Sequence, residues 1–267
     1  ADAASRLGVK RLAIIDDGSA YGQLLMEWLQ EAAVNNEDVD VVATLPLNAA
    51  PVIAGKPKKQ DFGTSLRALN ALKGKYKPDA VFFAGLDTQT ASLLTQLGVA
   101  AKTMPALAQL KLLGGDAMCT NRLPELAGKQ PLLKNIRCVQ AGVPLEDLRD
   151  AAQWKQRYSK QFPKAAQLFS PYAYDATMVL AKAMMEADST KPQAFLPYLR
   201  RVEYQGYTGK ISFTAQGDLQ EPVVTVYEYA DGERKAVEPV AVAASAAPAV
   251  PLAPEAAKQK TAAGADK

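Results

Sequence analysis

An apolar run near the start of the chain ends in two adjacent acids, a Gly-Ser turn and a tyrosine: Arg11-Leu-Ala-Ile-Ile-Asp-Asp-Gly-Ser-Ala-Tyr-Gly22. Paired carboxylates at a strand's carboxyl end can hold Mg²⁺, as in phosphoacceptor receiver domains, with Asp87 after a later strand as the phosphorylated acid. Such a site also needs a lysine at the end of the fifth strand, and Arg137-Cys-Val-Gln-Ala-Gly142 has none. The simpler role of the pair, capping the following helix, outweighs the metal. Gly18 to Gly22 is no nucleophile elbow, because its central residue is Ala20, nor does it carry the Gly-x-Gly-x-x-Gly dinucleotide spacing. What remains is Tyr21 at a helix N-terminus, where it either stacks on a ligand or packs.

A second candidate is Leu113-Gly-Gly-Asp-Ala-Met-Cys119. Two glycines admit a close backbone approach, and the carboxylate of Asp116 beyond them suits an ammonium group or, equally, a helix cap. Cys119 and Cys138 either pair, a link worth about 3 kcal/mol, or stay as two buried thiols. The chain has no histidine. Ser-His-Asp and Cys-His catalysis and the commonest zinc sites are therefore excluded, and two cysteines are too few for an all-cysteine zinc site.

These residues must be positioned by elements, and the pattern supplies them. Short apolar runs alternate with amphipathic ones through the first 140 residues, the sign of βαβ units and a parallel sheet. Strands are predicted near 11–16, 39–45, 79–84, 109–114 and 135–140, and helices near 20–34, 61–74, 88–99 and 122–128. In the third helix Leu93, Leu94 and Leu97 recur at helical spacing. Ligands of doubly wound proteins sit at the carboxyl ends of strands, so Asp16 to Tyr21 falls on the binding rim. After Gly142, helices are predicted at 147–162, 171–187 and 192–201. Strands at 209–213 and 223–229 follow, with turns at 216–218 and 231–232. From Val240 on, the Ala/Pro-rich composition predicts a disordered tail.

A hydrophobic content of 48% with 22% charged residues is that of a globular protein with a real core. The net charge of +3 gives nucleic-acid binding little support. The densest basic cluster, Lys56 to Lys59, reads as a solvated loop. No apolar stretch approaches the roughly 20 residues of a membrane helix, and no segment reads as a secretory signal peptide.

In order and spacing, the opening unit resembles one family together with Lys77-Pro-Asp-Ala-Val-Phe-Phe-Ala-Gly85, Leu113 to Thr120, Tyr172-Ala-Tyr-Asp-Ala176, and Gly206 to Phe213 with Gly217-Asp218. That family is the branched-chain amino-acid (Leu/Ile/Val-type) substrate-binding proteins of bacterial ABC transporters, of the type I periplasmic class. The resemblance runs from about residue 3 to 236 and implies a parallel, doubly wound α/β sheet in a two-lobed clamp that closes on its ligand. It implies a binder without catalytic residues, cofactor or metal, located in the periplasm, whose partners are an amino acid or similar ligand and an ABC permease. Tyr21 would be the second-lobe aromatic of the cleft. Asp116 would take the ligand's ammonium, where the archetypal leucine binders have Glu. Leu86 stands where those binders have an aromatic, and Phe169 matches an aromatic that covers the ligand's side chain. Cys119 and Cys138 occur as a pair in some relatives, which favours a disulfide.

By the same resemblance, the Arg11 strand opens the second lobe. Residues 1–142 are expected to form that lobe, 143–239 to return to the first lobe and hinge, and 240–267 to be the tail. A complete first lobe, which grips the ligand's carboxylate, is expected before Arg11 and is missing here. The chain as given is accordingly expected to bind amino acids weakly or not at all. Two other readings stand beside this one: the receiver-like phosphotransfer domain using Asp16, Asp17 and Asp87, and a ligand-sensing regulatory domain of the same fold.

Overall fold

The six residues of the first sheet strand, β1 (Arg11–Asp16), are enough to specify a central position in a sheet. Five of the six are buried, on both faces of the strand, as a parallel strand covered by helices on either side requires. In the computed structural model β1 lies beside β2 (Asp40–Pro46) and β5 (Ala80–Ala84), parallel to both. The structure describes residues 2–35, 38–47, 52–53, 56–57, 60–128, 130–167 and 169–241. Of the predicted tail 240–267, residues 240 and 241 instead close the last strand by pairing with Val224 and Val223, while the rest of it, and Lys58 and Lys59 of the basic cluster, lie outside the described residues.

Helix α1 (Asp2–Arg6) precedes β1, and α2 (Ala20–Val34) follows it. The small pair β3 (Val52–Ile53) and β4 (Lys56–Pro57) leads to α3 (Gly63–Ala71), shorter than the predicted 61–74 because the chain turns out at Leu72. Beyond β5 come α4 (Asp87–Ala100), β6 (Lys111–Gly114), α5 (Leu123–Leu126) and β7 (Ile136–Ala141). Leu93, Leu94 and Leu97 of α4 are fully buried, as their spacing predicts. Alternation along the strands divides the core in two. Ala13, Ile15, Val81 and Phe83 face the larger cluster under α3 and α4, whereas Leu12 and Ile14 face a smaller one under α1 and α2.

Three further helices follow: α6 (Ala151–Gln161), α7 (Phe169–Glu186) and α8 (Pro192–Leu199). Then come the hairpin β8 (Tyr204–Gly206) and β9 (Gly209–Ile211) and the long hairpin β10 (Val223–Ala230) and β11 (Glu233–Ala241). Asp231 and Gly232 both have positive φ, 56° and 78°, the geometry of a two-residue turn that matches strand twist. The sheet runs β11-β10-β7-β6-β5-β1-β2. Its five βα strands are parallel, and β10 adds antiparallel to β7. The β10–β11 hairpin, grouped from sequence with the segment returning to a first lobe, instead extends the sheet of residues 1–142. Non-local pairing decides this, and it leaves no trace in local periodicity.

Between the sheet and its last hairpin, two of the matching motifs are joined. Asp175, 1% exposed, accepts from the amides of Tyr207 and Thr208 at 3.2 and 2.7 Å and from the Thr208 hydroxyl at 2.7 Å. Gly206 stands so close that a Cβ would meet that carboxylate. Helix α7 buries Asp175, Val179 and Ala183 but exposes Tyr174, Met178 and Met185 on another side. Among the described residues, no helix is long and apolar enough to cross a membrane.

Candidate ligand-binding rim

The strand order creates the site. From β1 the chain winds outward to β2, then crosses back to β5 and winds the other way through β6 and β7. The reversal lies between β1 and β5, and the crevice at such a point, outside the carboxyl ends of the strands, is where open α/β sheets bind ligands. Tyr21 follows β1, Leu86 follows β5 and Asp116 follows β6. Topology therefore sets all three on one rim.

Each is held by local chemistry. Gly18, with φ of 75°, turns the chain after β1. Its amide donates to Asp16 Oδ1 at 2.8 Å, and the Ser19 amide and hydroxyl donate to Asp17 Oδ1 at 2.9 and 2.5 Å. Ser19 in turn caps α2, its hydroxyl accepting from the Gly22 amide at 3.0 Å. Both acids are thus occupied in shaping a turn that lifts Tyr21 to the rim. Gly22 is needed where it stands, because a Cβ there would meet Asp17 and the Ala84 carbonyl.

The Tyr21 hydroxyl donates to Asp116 Oδ1 at 3.0 Å across 95 residues of sequence. Burial first, and then the adjacent Asp116 carboxylate, push the Tyr21 phenol up to about 12. Gly115 makes the contact possible: a Cβ there would stand 3.1 Å from the tyrosine oxygen. Gly114 similarly leaves room for the Met118 side chain folded over it. Asp116 is exposed and Tyr21 is 37% exposed, so a polar, negatively charged contact faces outward. Leu86, 47% exposed, stands at the start of α4 with its amide bonded to Gln89 Oε1 at 2.7 Å. The loops of Leu86 and Asp116 are linked, since the Asp87 amide donates to the Ala117 carbonyl at 3.0 Å.

Tyr21 and Asp116 are therefore brought into contact, with Leu86 on the neighbouring loop. Phe169, the first residue of α7, is half exposed and, among the described residues, makes no hydrogen bond or ring contact with those three. Cys119 and Cys138 form a disulfide, tying the Asp116 loop to β7. Of the acids of the receiver reading, Asp16 and Asp17 accept from the turn that follows them, and Asp87 accepts from the Thr120 hydroxyl at 2.8 Å. Among the described residues, no three His, Cys, Asp or Glu side chains are grouped to hold a metal. Sequence reasoning missed Tyr229 and Arg234, which reach the Asp116 loop from the last hairpin; at separations above a hundred residues no motif spacing signals them.

Comparison with known proteins bears on the family and the fold. The family model described as periplasmic binding protein matches residues 1–233. The fold is similar to that of the leucine binding protein LivK of Thermotoga maritima, at 19% identity and a TM-score of 0.68, over 89% of this chain and 62% of that one. It is also similar to a putative branched-chain amino acid ABC transporter protein of Rhodospirillum rubrum, at 17% identity and a TM-score of 0.65, over 88% and 63%. A third likeness is a Rhodopseudomonas palustris ABC transporter solute binding protein in complex with 3,4-dihydroxy benzoic acid, at 15% identity and a TM-score of 0.63, over 91% and 63%. The chain thus spans somewhat over three fifths of the length of these structures. No curated protein sequence matches it.

Proposed function

The chain belongs to the periplasmic binding protein family, whose members bind solutes and are not enzymes, and on that premise we propose that it carries the ammonium-gripping half of an amino-acid clamp. The observation that carries this reading is the Tyr21–Asp116 contact on the rim of the sheet reversal. An exposed carboxylate, oriented by a phenol that stays protonated far above neutral pH, suits a ligand ammonium through a charge-assisted hydrogen bond. Leu86 offers an apolar neighbour for the ligand's side chain, and Phe169 would cover it once the clamp closes. Closure around bound ligand would favour the form that a membrane permease recognises.

Relatives of this fold include a protein in complex with an aromatic acid, so a carboxylate ligand without ammonium is the second reading. Asp116 opposes it, because like charges on one rim repel. The disulfide fits an oxidising, extracytoplasmic compartment such as the periplasm.

Titration of the isotope-labelled chain, followed by amide resonances, tests the reading even where affinity is weak. L-amino acids are expected to shift Tyr21, Leu86 and Asp116, and Asp116→Asn to raise the concentration needed at least about tenfold. Shifts at these residues with 4-hydroxybenzoate alone, or with Mg²⁺ at Asp16, Asp17 and Asp87, would contradict it.

A further inference from the structure

The backbone behind Asp116 is tied down at four consecutive residues, three of them by the edge hairpin far along the chain. The Ala117 carbonyl accepts from the Asp87 amide at 3.0 Å. The Tyr229 hydroxyl donates to the Thr120 carbonyl at 2.8 Å and lies 3.5 Å from that of Met118. Arg234 Nη1 donates to the Cys119 carbonyl at 2.6 Å, while the Cys119 sulfur is bonded to Cys138. Only at Asp116 does this stretch turn a side chain outward, onto Tyr21.

Tyr229 and Arg234 are register partners across the β10–β11 pair, so their side chains leave the same face together. Both are anchored in turn. Tyr229 is 2% exposed, and burial pushes its phenol up, keeping it a donor. The Arg234 guanidinium stacks 4.3 Å over the Tyr227 ring and also donates to the buried Gln140 Oε1 at 2.6 Å. In this half-buried setting each lost donor leaves a loop carbonyl without its protein partner, which is costly.

We infer that Tyr229 and Arg234 are positioning residues that preorganise the Asp116 loop for ligand. The β10–β11 hairpin is then part of the site's supporting shell as well as of the sheet edge. This rests on the reading of Asp116 as ligand-facing, but its test does not.

Hydrogen exchange of the whole chain, together with the Tyr21 ζ-carbon resonance assigned by Tyr21→Phe, provides that test. Tyr229→Phe removes one hydroxyl and keeps the ring, so the hairpin retains its packing. It is expected to speed exchange at the Cys119 amide by about tenfold, with β1 and α4 unchanged. Arg234→Met is expected to do the same, and in both variants the Tyr21 resonance moves toward that of a free tyrosine. Arg234→Lys, which keeps a donor but not the planar stack, falls between. Unchanged loop exchange and an unchanged Tyr21 resonance would overturn the inference, as would exchange rising equally across the sheet. If the loop and Tyr21 respond while no amino acid perturbs wild-type Asp116, the positioning role stands and the ligand reading fails.

Discussion

Tyr21 and Asp116 illustrate how a weak signal in sequence becomes chemistry in the fold. Either alone reads as packing or capping; a 3.0 Å hydrogen bond between them, on an exposed rim, does not. In the proposed site the two would contribute unequally to the binding of an ammonium ligand. Asp116→Asn removes the charge, and a charge-assisted hydrogen bond contributes about 1.5–3 kcal/mol, so the variant is expected to bind an amino acid at least about tenfold more weakly. Tyr21→Phe removes only the orienting hydroxyl, with an expected loss below about tenfold in the same titration. A larger loss in Tyr21→Phe than in Asp116→Asn would shift the binding role to the phenol. Leu86, half exposed on the neighbouring loop, is the residue to vary for side-chain preference.

The elements are held in register by devices that sit away from the rim. Arg11 and Asp79 bridge the starts of β1 and β5 at 2.6 Å, and the Arg11 amide donates to the same carboxylate at 3.0 Å. The guanidinium hydrogen bond holds the Asp79 carboxyl below its ordinary range. A depressed carboxyl stabilises the fold above its unfolded pKa, and that stability is lost as pH falls through the folded value. The denaturation midpoint of wild type is therefore expected to exceed that of Asp79→Asn at neutral pH, with the gap closing below about pH 4. A gap independent of pH would assign the effect to packing instead. Gly142 joins β7 to the segment that follows; its φ is 90°, and a Cβ would collide with the Tyr172 hydroxyl. That hydroxyl accepts from the Val143 amide at 2.9 Å. Gly142→Ala is expected to cost about 2 kcal/mol in chemical denaturation, against a few tenths for an exposed change such as Met185→Lys. Replacing Cys119 and Cys138 by serine is expected to cost about 3 kcal/mol. Retained stability in that variant would leave the loop's order to Tyr229 and Arg234.

At the scale of the molecule, the parallel half of the sheet was legible because its strands read as apolar on both faces and its helices carried a 3.6-residue stripe. β1, β5 and the buried face of α4 follow directly from Leu12 to Ile15, Val81 to Ala84 and Leu93 to Leu97. The positions of Tyr21 and Asp116 after strands were legible for the same reason, whereas Leu86 was singled out only by the family resemblance. Two things were hidden. Pairing of β10 with β7 is set by contacts spanning more than 80 residues, and the hold of Tyr229 and Arg234 on the Asp116 loop spans 109 and 115. Such interactions depend on which strand edge is free, a property of the assembled sheet.

The central claim is that the rim selects a ligand by its ammonium group through Asp116. The most direct measurement compares leucine with 4-methylpentanoate, which keeps the carboxylate and side chain but lacks the ammonium, on wild type and on Asp116→Asn. The amide shifts of Tyr21 and Leu86 report binding in each titration. The account predicts that wild type responds to leucine at least about tenfold more strongly than to the acid, and that Asp116→Asn loses this discrimination. Equal response of wild type to both compounds, or discrimination that survives in Asp116→Asn, would contradict it.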